Sequence, residues 1–209
     1  RAKRVAEAPE PATALGLLPI IIAAAALINA SHSLLNTFGS LHWEREGHSS
    51  GFIGAAWAIG VICETSIFAV AGRWFSSRNS AYAMLATGAG AAALRWLIMA
   101  SNPASALLLI AQSAHGLTFG LTHLGSMQFI FANTPARIRA QAQGWLSASI
   151  AGCSALAVFI GGPLYSRLGE AAYLSMAALA GAGLCLILIA AVARVRGVGQ
   201  TRQRSQSGI

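Results

Sequence analysis

The sequence predicts an all-α, polytopic membrane protein with six transmembrane helices. Three observations predict it. Only 10% of the 209 residues are charged and 56% are hydrophobic, whereas soluble domains carry about 25% charged residues. Apolar stretches recur at lengths close to or above the ~20 residues that cross a bilayer as a helix. The 22 glycines suit helices packed closely in lipid, where van der Waals fit replaces the hydrophobic drive.

Residues 1–14 form a charged linker, 15–193 the six-helix bundle and 194–209 a polar tail expected to be disordered. The chain opens on Arg1, which suggests a piece of something longer or a processed product. The first apolar stretch covers 15–43. It exceeds the ~7–15-residue core of a signal peptide, and no A-x-A-like cleavage pattern follows it. The second covers 51–75 and the third 81–101, closed by an Asn102-Pro103 turn. The fourth, 104–132, is the most polar. The fifth covers 140–165, and Gly161-Gly162-Pro163 near its end reads either as a gating bend or as a helix stop. Ala148, Gly152 and Ala155 read as packing positions in the same span. The sixth covers 171–193.

The net charge of +8 is a topology signal. With the N-terminus in the cytoplasm, the outside loops hold only Arg45 and Arg167. Every other Lys and Arg except the intramembrane Arg95 falls inside, as the positive-inside rule requires. Nucleic acid is therefore not an expected partner; the bilayer is. The expected location is the bacterial cytoplasmic (inner) membrane, with both termini cytoplasmic. Trp43, Trp74, Tyr82, Tyr165 and Tyr173 lie near span ends, where amphipathic rings prefer the interface. Cys63, Cys153 and Cys185 lie far apart in apolar stretches without zinc-like spacing and read as packing residues. No metal or cofactor is expected.

Of the six acidic residues, only Glu64 lies inside a predicted span. A carboxylate at a span centre costs about 2.5–3.5 kcal/mol on the insertion scale. A partner within the bundle or a water-filled path would explain its presence; packing alone is the structural alternative. Trp57, Gly60 and Glu64 share one helix face at i, i+3 and i+7. Arg95 is the second intramembrane charge, able to pair with Glu64, a solute carboxylate or helix carbonyls, or to snorkel. In the fourth span Gln112, His115, Phe119 and Thr122 form a stripe, with His123 beside it. Asn29, His32, Asn36 and Gly39 form a matching stripe in the first. Histidine titrates near neutrality, so it can relay a proton or bind an anion. His42 and His48, in HWEREGHSSG, read as solvated loop residues. HSLLNTFGS and HGLTFGLTHLGS form a faint internal repeat, compatible with a transporter half built from inverted three-helix repeats.

The segments HSLLNTFGSLHW, GAAWAIGVICE, LRWLIMA, QSAHGLTFGLTHLGSMQFI and GGPLYSRLG resemble the second half of the 3-phenylpropionate permease group of the major facilitator superfamily, a nucleoside/phenylpropionate proton symporter-like group. The resemblance runs over residues 32–173 in order. It implies one six-helix half of a twelve-helix transporter that alternates access by rocking two halves, with the first, second, fourth and fifth spans facing the cavity. It implies proton-coupled symport of an aromatic or small carboxylic solute. It also implies an N-terminal six-helix half, on the same or a separate chain, or a second copy, as partner. The matching polar positions are His32, Trp57, Glu64, Arg95, His115 and His123; with Asn36 and Gln112 they make up the expected substrate-binding and proton-coupling set. The loop AGRWFSSRNS carries only a worn form of the superfamily's acidic-basic motif and lacks its Asp. The rival readings are a membrane scaffold or assembly subunit, and an intramembrane enzyme. The enzyme reading lacks a motif, since no G-x-S-x-G stands in a span and no H-E-x-x-H occurs.

Overall fold

A computed structural model of the chain describes residues 15–74 and 80–206. The linker 1–14 and residues 75–79, which include Arg78 and half of the worn loop motif, lie outside the described residues. Among the described residues every regular element is a helix. They are α1 (Leu18–Ala30), α2 (Ser33–Arg45), α3 (Ser50–Trp74), α4 (Ser80–Met99), α5 (Ser105–Ser113), α6 (Leu121–Asn133), α7 (Arg139–Leu168) and α8 (Tyr173–Gln206). A π-helical turn, Gly116–Gly120, joins α5 to α6, and short 3₁₀ turns precede α7 and α8.

Local chemistry sets these boundaries. Pro19 opens α1, where its missing N–H has no intrahelical acceptor to lose. Thr134 is extended (φ −125°, ψ 130°) because Pro135 follows it, and α6 ends there. Gly169 closes α7 at φ 56°, ψ −132°, a conformation a Cβ would strain, and turns the chain back into α8. Pro163 lies inside α7, which continues to Leu168. The Gly161-Gly162-Pro163 run is therefore not a helix stop.

α1 is the central element. It packs on α8, α7 and α6, and Ala24, Ala25, Ala26 and Ile28 are fully enclosed. α4 packs on α8 and α6, while α3 leans on α5 and the π turn and leaves most of its surface exposed. Residues 18–45, 50–71 and 80–99, and the folded-back pair within 136–196, are long and apolar enough to cross a membrane. The chain is thus an all-α, multi-pass membrane protein. The α5–α6 rod is more polar and is divided by the π turn, so it is not among those stretches.

Several sequence expectations need correction. The first span is two helices, because the chain tightens at Ser31–His32, where His32 N–H bonds Asn29 O at 3.0 Å. His42 is not a loop residue. It lies in α2, is buried, and meets the Tyr165 ring edge-on at 5.9 Å. Trp43, Tyr82, Tyr165 and Tyr173 are buried rather than interface-facing. Position near a span end was legible, but the helix face each ring takes was not. The side chain of Trp74 lies outside the described residues. The segment from Arg194, expected to be a disordered tail, is helical to Gln206. Arg and Gln are good helix formers, and a helix already nucleated by packed turns propagates readily.

Candidate functional site

Five elements bring their polar groups to one depth of the bundle. α4 delivers Arg95, α5 and the π turn deliver Gln112, His115 and Thr118, α3 delivers Glu64, and the α1–α2 break delivers His32. Close backbone approach makes this possible. A Cβ on Gly116 would stand 2.5 Å from Cys63 O and 3.0 Å from Glu64 N, so only glycine lets the π turn lie against α3 beside the carboxylate. π turns offset the register of a helix and frequently mark functional sites. Here the offset presents Thr118 and His115 to the same guanidinium.

Arg95 is 2% exposed and sits over the Trp96 ring at 4.7 Å. Its Nη2 donates to Gln112 Oε1. Its Nη1 faces His115 Nδ1 at 3.3 Å and Thr118 Oγ1 at 3.4 Å. Gln112 is held in turn by Ala56 O, to which its amide donates at 3.5 Å. The other ring nitrogen of His115 lies 3.4 Å from Glu64 Oε2, and both of those side chains are 19% exposed. His32 is buried and T-shaped against Trp96 at 5.0 Å. It places Nδ1 3.0 Å from Ile28 O and Nε2 2.9 Å from Thr118 Oγ1. Beneath it, Trp96 Nε1 donates to Ser31 Oγ at 2.9 Å. The result is one connected array from Ile28 to Glu64, dry at Arg95 and accessible at the Glu64–His115 end.

Of the eight residues expected at the site, His32, Glu64, Arg95, Gln112 and His115 lie in this array. The other three do not. Asn36 is exposed, one turn along α2 from His32. Trp57 donates to Ser40 Oγ at 2.9 Å and packs against Trp43. His123 is exposed and lies parallel to Phe119 at 6.4 Å, in a ladder of rings running from His115. Thr118 was missed. The only hint of it is the Gly116–Gly120 pair that brackets GLTFG.

Fold and site together define a multi-pass helical membrane protein with a buried, partly accessible ionisable array. Residues 17–177 match the model of the MFS_1 like family, and the chain belongs to that family, within the major facilitator superfamily's phenylpropionate permease-like group. It is 30% identical over 159 residues to a protein of Escherichia coli (strain K12) named "Probable 3-phenylpropionic acid transporter". That match covers 76% of this chain and 42% of the relative, so the chain spans less than half the length of the curated relative it matches. No solved structure gives a significant match.

Proposed function

We propose that the chain is one half of a secondary active transporter that carries a small aromatic or carboxylic acid across the bacterial inner membrane together with protons. In this reading it crosses the bilayer six times with both termini inside. It encloses a path only with a second six-helix half or a second copy. The Glu64–His115 contact of 3.4 Å, partly exposed at the end of a buried cationic array, is the observation that carries the reading. Family membership and the name of the relative support transport and the solute class.

In this mechanism Glu64 takes a proton from the cavity while His115 holds the carboxyl in place. Protonation neutralises the site's carboxylate, so the loaded site carries a lower charge penalty when the two halves rock past it. Release on the other side restores the carboxylate, which again faces the ring nitrogen of His115 at 3.4 Å.

Uptake of labelled 3-phenylpropionate into vesicles with an imposed pH gradient tests this, with the chain paired with its second half. The Glu64→Gln variant should still exchange solute down its gradient but should lose pH-driven accumulation. Accumulation equal to wild type would remove Glu64 from coupling.

A further inference from the structure

Arg95 can only donate, because a guanidinium carries five N–H groups and no acceptor. An imidazole nitrogen facing such a donor must offer a lone pair. His115 Nδ1 is in that position at 3.3 Å, so a neutral His115 carries its proton on Nε2, the nitrogen 3.4 Å from Glu64 Oε2. His32 is fixed from the other side. Its Nδ1 lies 3.0 Å from Ile28 O, and a carbonyl only accepts, so Nδ1 carries the proton. The Nε2 lone pair then faces Thr118 Oγ1 at 2.9 Å. Thr118 has one hydroxyl proton and two acceptors in reach, His32 Nε2 and His115 O at 3.2 Å. The nearer, His32, would otherwise be left with a lone pair and no donor, so it takes the proton. The oxygen of Thr118 keeps its lone pairs for Arg95. The bonds that begin at Arg95 therefore all run outward from it. One branch runs through Thr118 and His32 to Ile28 O, a second through His115 to Glu64, and a third from Nη2 through Gln112 to Ala56 O.

We propose that Arg95 and Thr118 are positioning residues that hold two histidines, 5.5 Å apart, in opposite neutral tautomers: His115 protonated on Nε2 toward Glu64, His32 on Nδ1 toward the α1 backbone. The proposal deepens, and rests on, the reading of Glu64–His115 as the proton-exchanging pair. It gives that pair a direction. A second proton on His115 would set Nδ1–H against the N–H of Arg95, so the exchanged proton resides on Glu64 and His115 stays a donor to it. Arg95, enclosed behind His115, acts through the imidazole and does not itself touch the solute.

Nitrogen NMR of the full chain labelled with ¹⁵N-histidine, in lipid at alkaline pH, reads the tautomers directly. Single His→Gln variants assign the five histidines. Wild type should show His115 protonated on Nε2 and His32 on Nδ1. Arg95→Met should release His115 into a tautomer mixture while His32, tied to Ile28 O, stays unchanged and reports an intact fold. Arg95→Lys, still a pure donor, should restore the Nε2–H form. Thr118→Val should shift only the His32 Nε2 resonance, and Thr118→Ser should return it. A wild-type His115 protonated on Nδ1 overturns the proposal, whatever the variants do. So does a His115 tautomer unmoved in Arg95→Met. Vesicle uptake by Glu64→Gln tests coupling and these spectra test proton placement, so failure of one is distinguishable from failure of the other.

Discussion

A guanidinium enclosed at 2% exposure leans on the neighbours that accept from its two terminal nitrogens, its Nε being buried without an acceptor among the described residues, and Gln112 is the neighbour that serves Nη2. Its carbonyl takes the Nη2 bond while its amide is anchored to Ala56 O. Gln112→Leu keeps the volume but leaves a charged donor without an acceptor. Hydrogen bonds to charged groups are worth about 1.5–3 kcal/mol, so the variant should lose stability of that order, read as a fall in the unfolding midpoint in detergent. Asn36→Ala, at an exposed position of α2, should stay within about 0.5 kcal/mol of wild type. Glu64, Arg95 and His115 could be found in the sequence because a charge or an imidazole inside a greasy stretch is expensive and therefore conspicuous. Thr118 could not. Threonine is unremarkable in membrane helices, where its hydroxyl often bonds back within its own helix, and only the fold turns this one toward His32 and Arg95.

Helices, for the same reason, were easier to find than the faults in them. Long apolar runs bounded by Pro135, Gly169 and the Asn102-Pro103 turn announce where helices begin and end. Hydropathy carries no record of which carbonyl an N–H selects, so neither the tightened turn at Ser31–His32 nor the π turn at Gly116–Gly120 could be read. Yet these two faults are what the site is built on, since His32 stands at the α1–α2 break and Thr118 in the π turn, with Nε2 and Oγ1 2.9 Å apart. The π turn depends on Gly116 lying against the α3 backbone. Gly116→Ala would press a methyl onto Cys63 O, which cannot retreat as a flexible side chain would. Overpacking of this kind costs about 1–3 kcal/mol, and the separation it forces should open the Glu64–His115 contact. Both stability and pH-driven uptake should fall. Gly90→Ala in α4, with nothing within 4 Å of its added Cβ, should instead be neutral or gain up to about 1 kcal/mol from helix propensity.

Across the whole molecule, the two ends of the bundle differ in charge, and that difference yields a test of orientation. Glu46 accepts from Asn102 at 3.2 Å, and Phe38 of α2 stacks on Tyr165 of α7 at 5.2 Å. The turns after α2, α4 and α7 therefore share one end, which holds Arg45 and Arg167 alongside Glu44, Glu46 and Glu170. At the other end Arg194 of α8 lies 5.3 Å from the Tyr82 ring near the start of α4, and Arg137 and Arg139 follow α6. Among the described residues the basic surplus is thus confined to the Arg194 end. In the proposed transporter half, retention of Lys and Arg on the cytoplasmic side would place that end inward. In a background with Cys63, Cys153 and Cys185 replaced by alanine, a single cysteine at each end reports the side. Ser49→Cys and Ala136→Cys both occupy exposed positions. A membrane-impermeant maleimide added to intact cells should label Ser49→Cys and reach Ala136→Cys only after permeabilisation. The reverse pattern would invert the bundle. Labelling of both from outside would mean that the two positions do not lie across a bilayer from one another, and alternating access through this half would then have no membrane to cross.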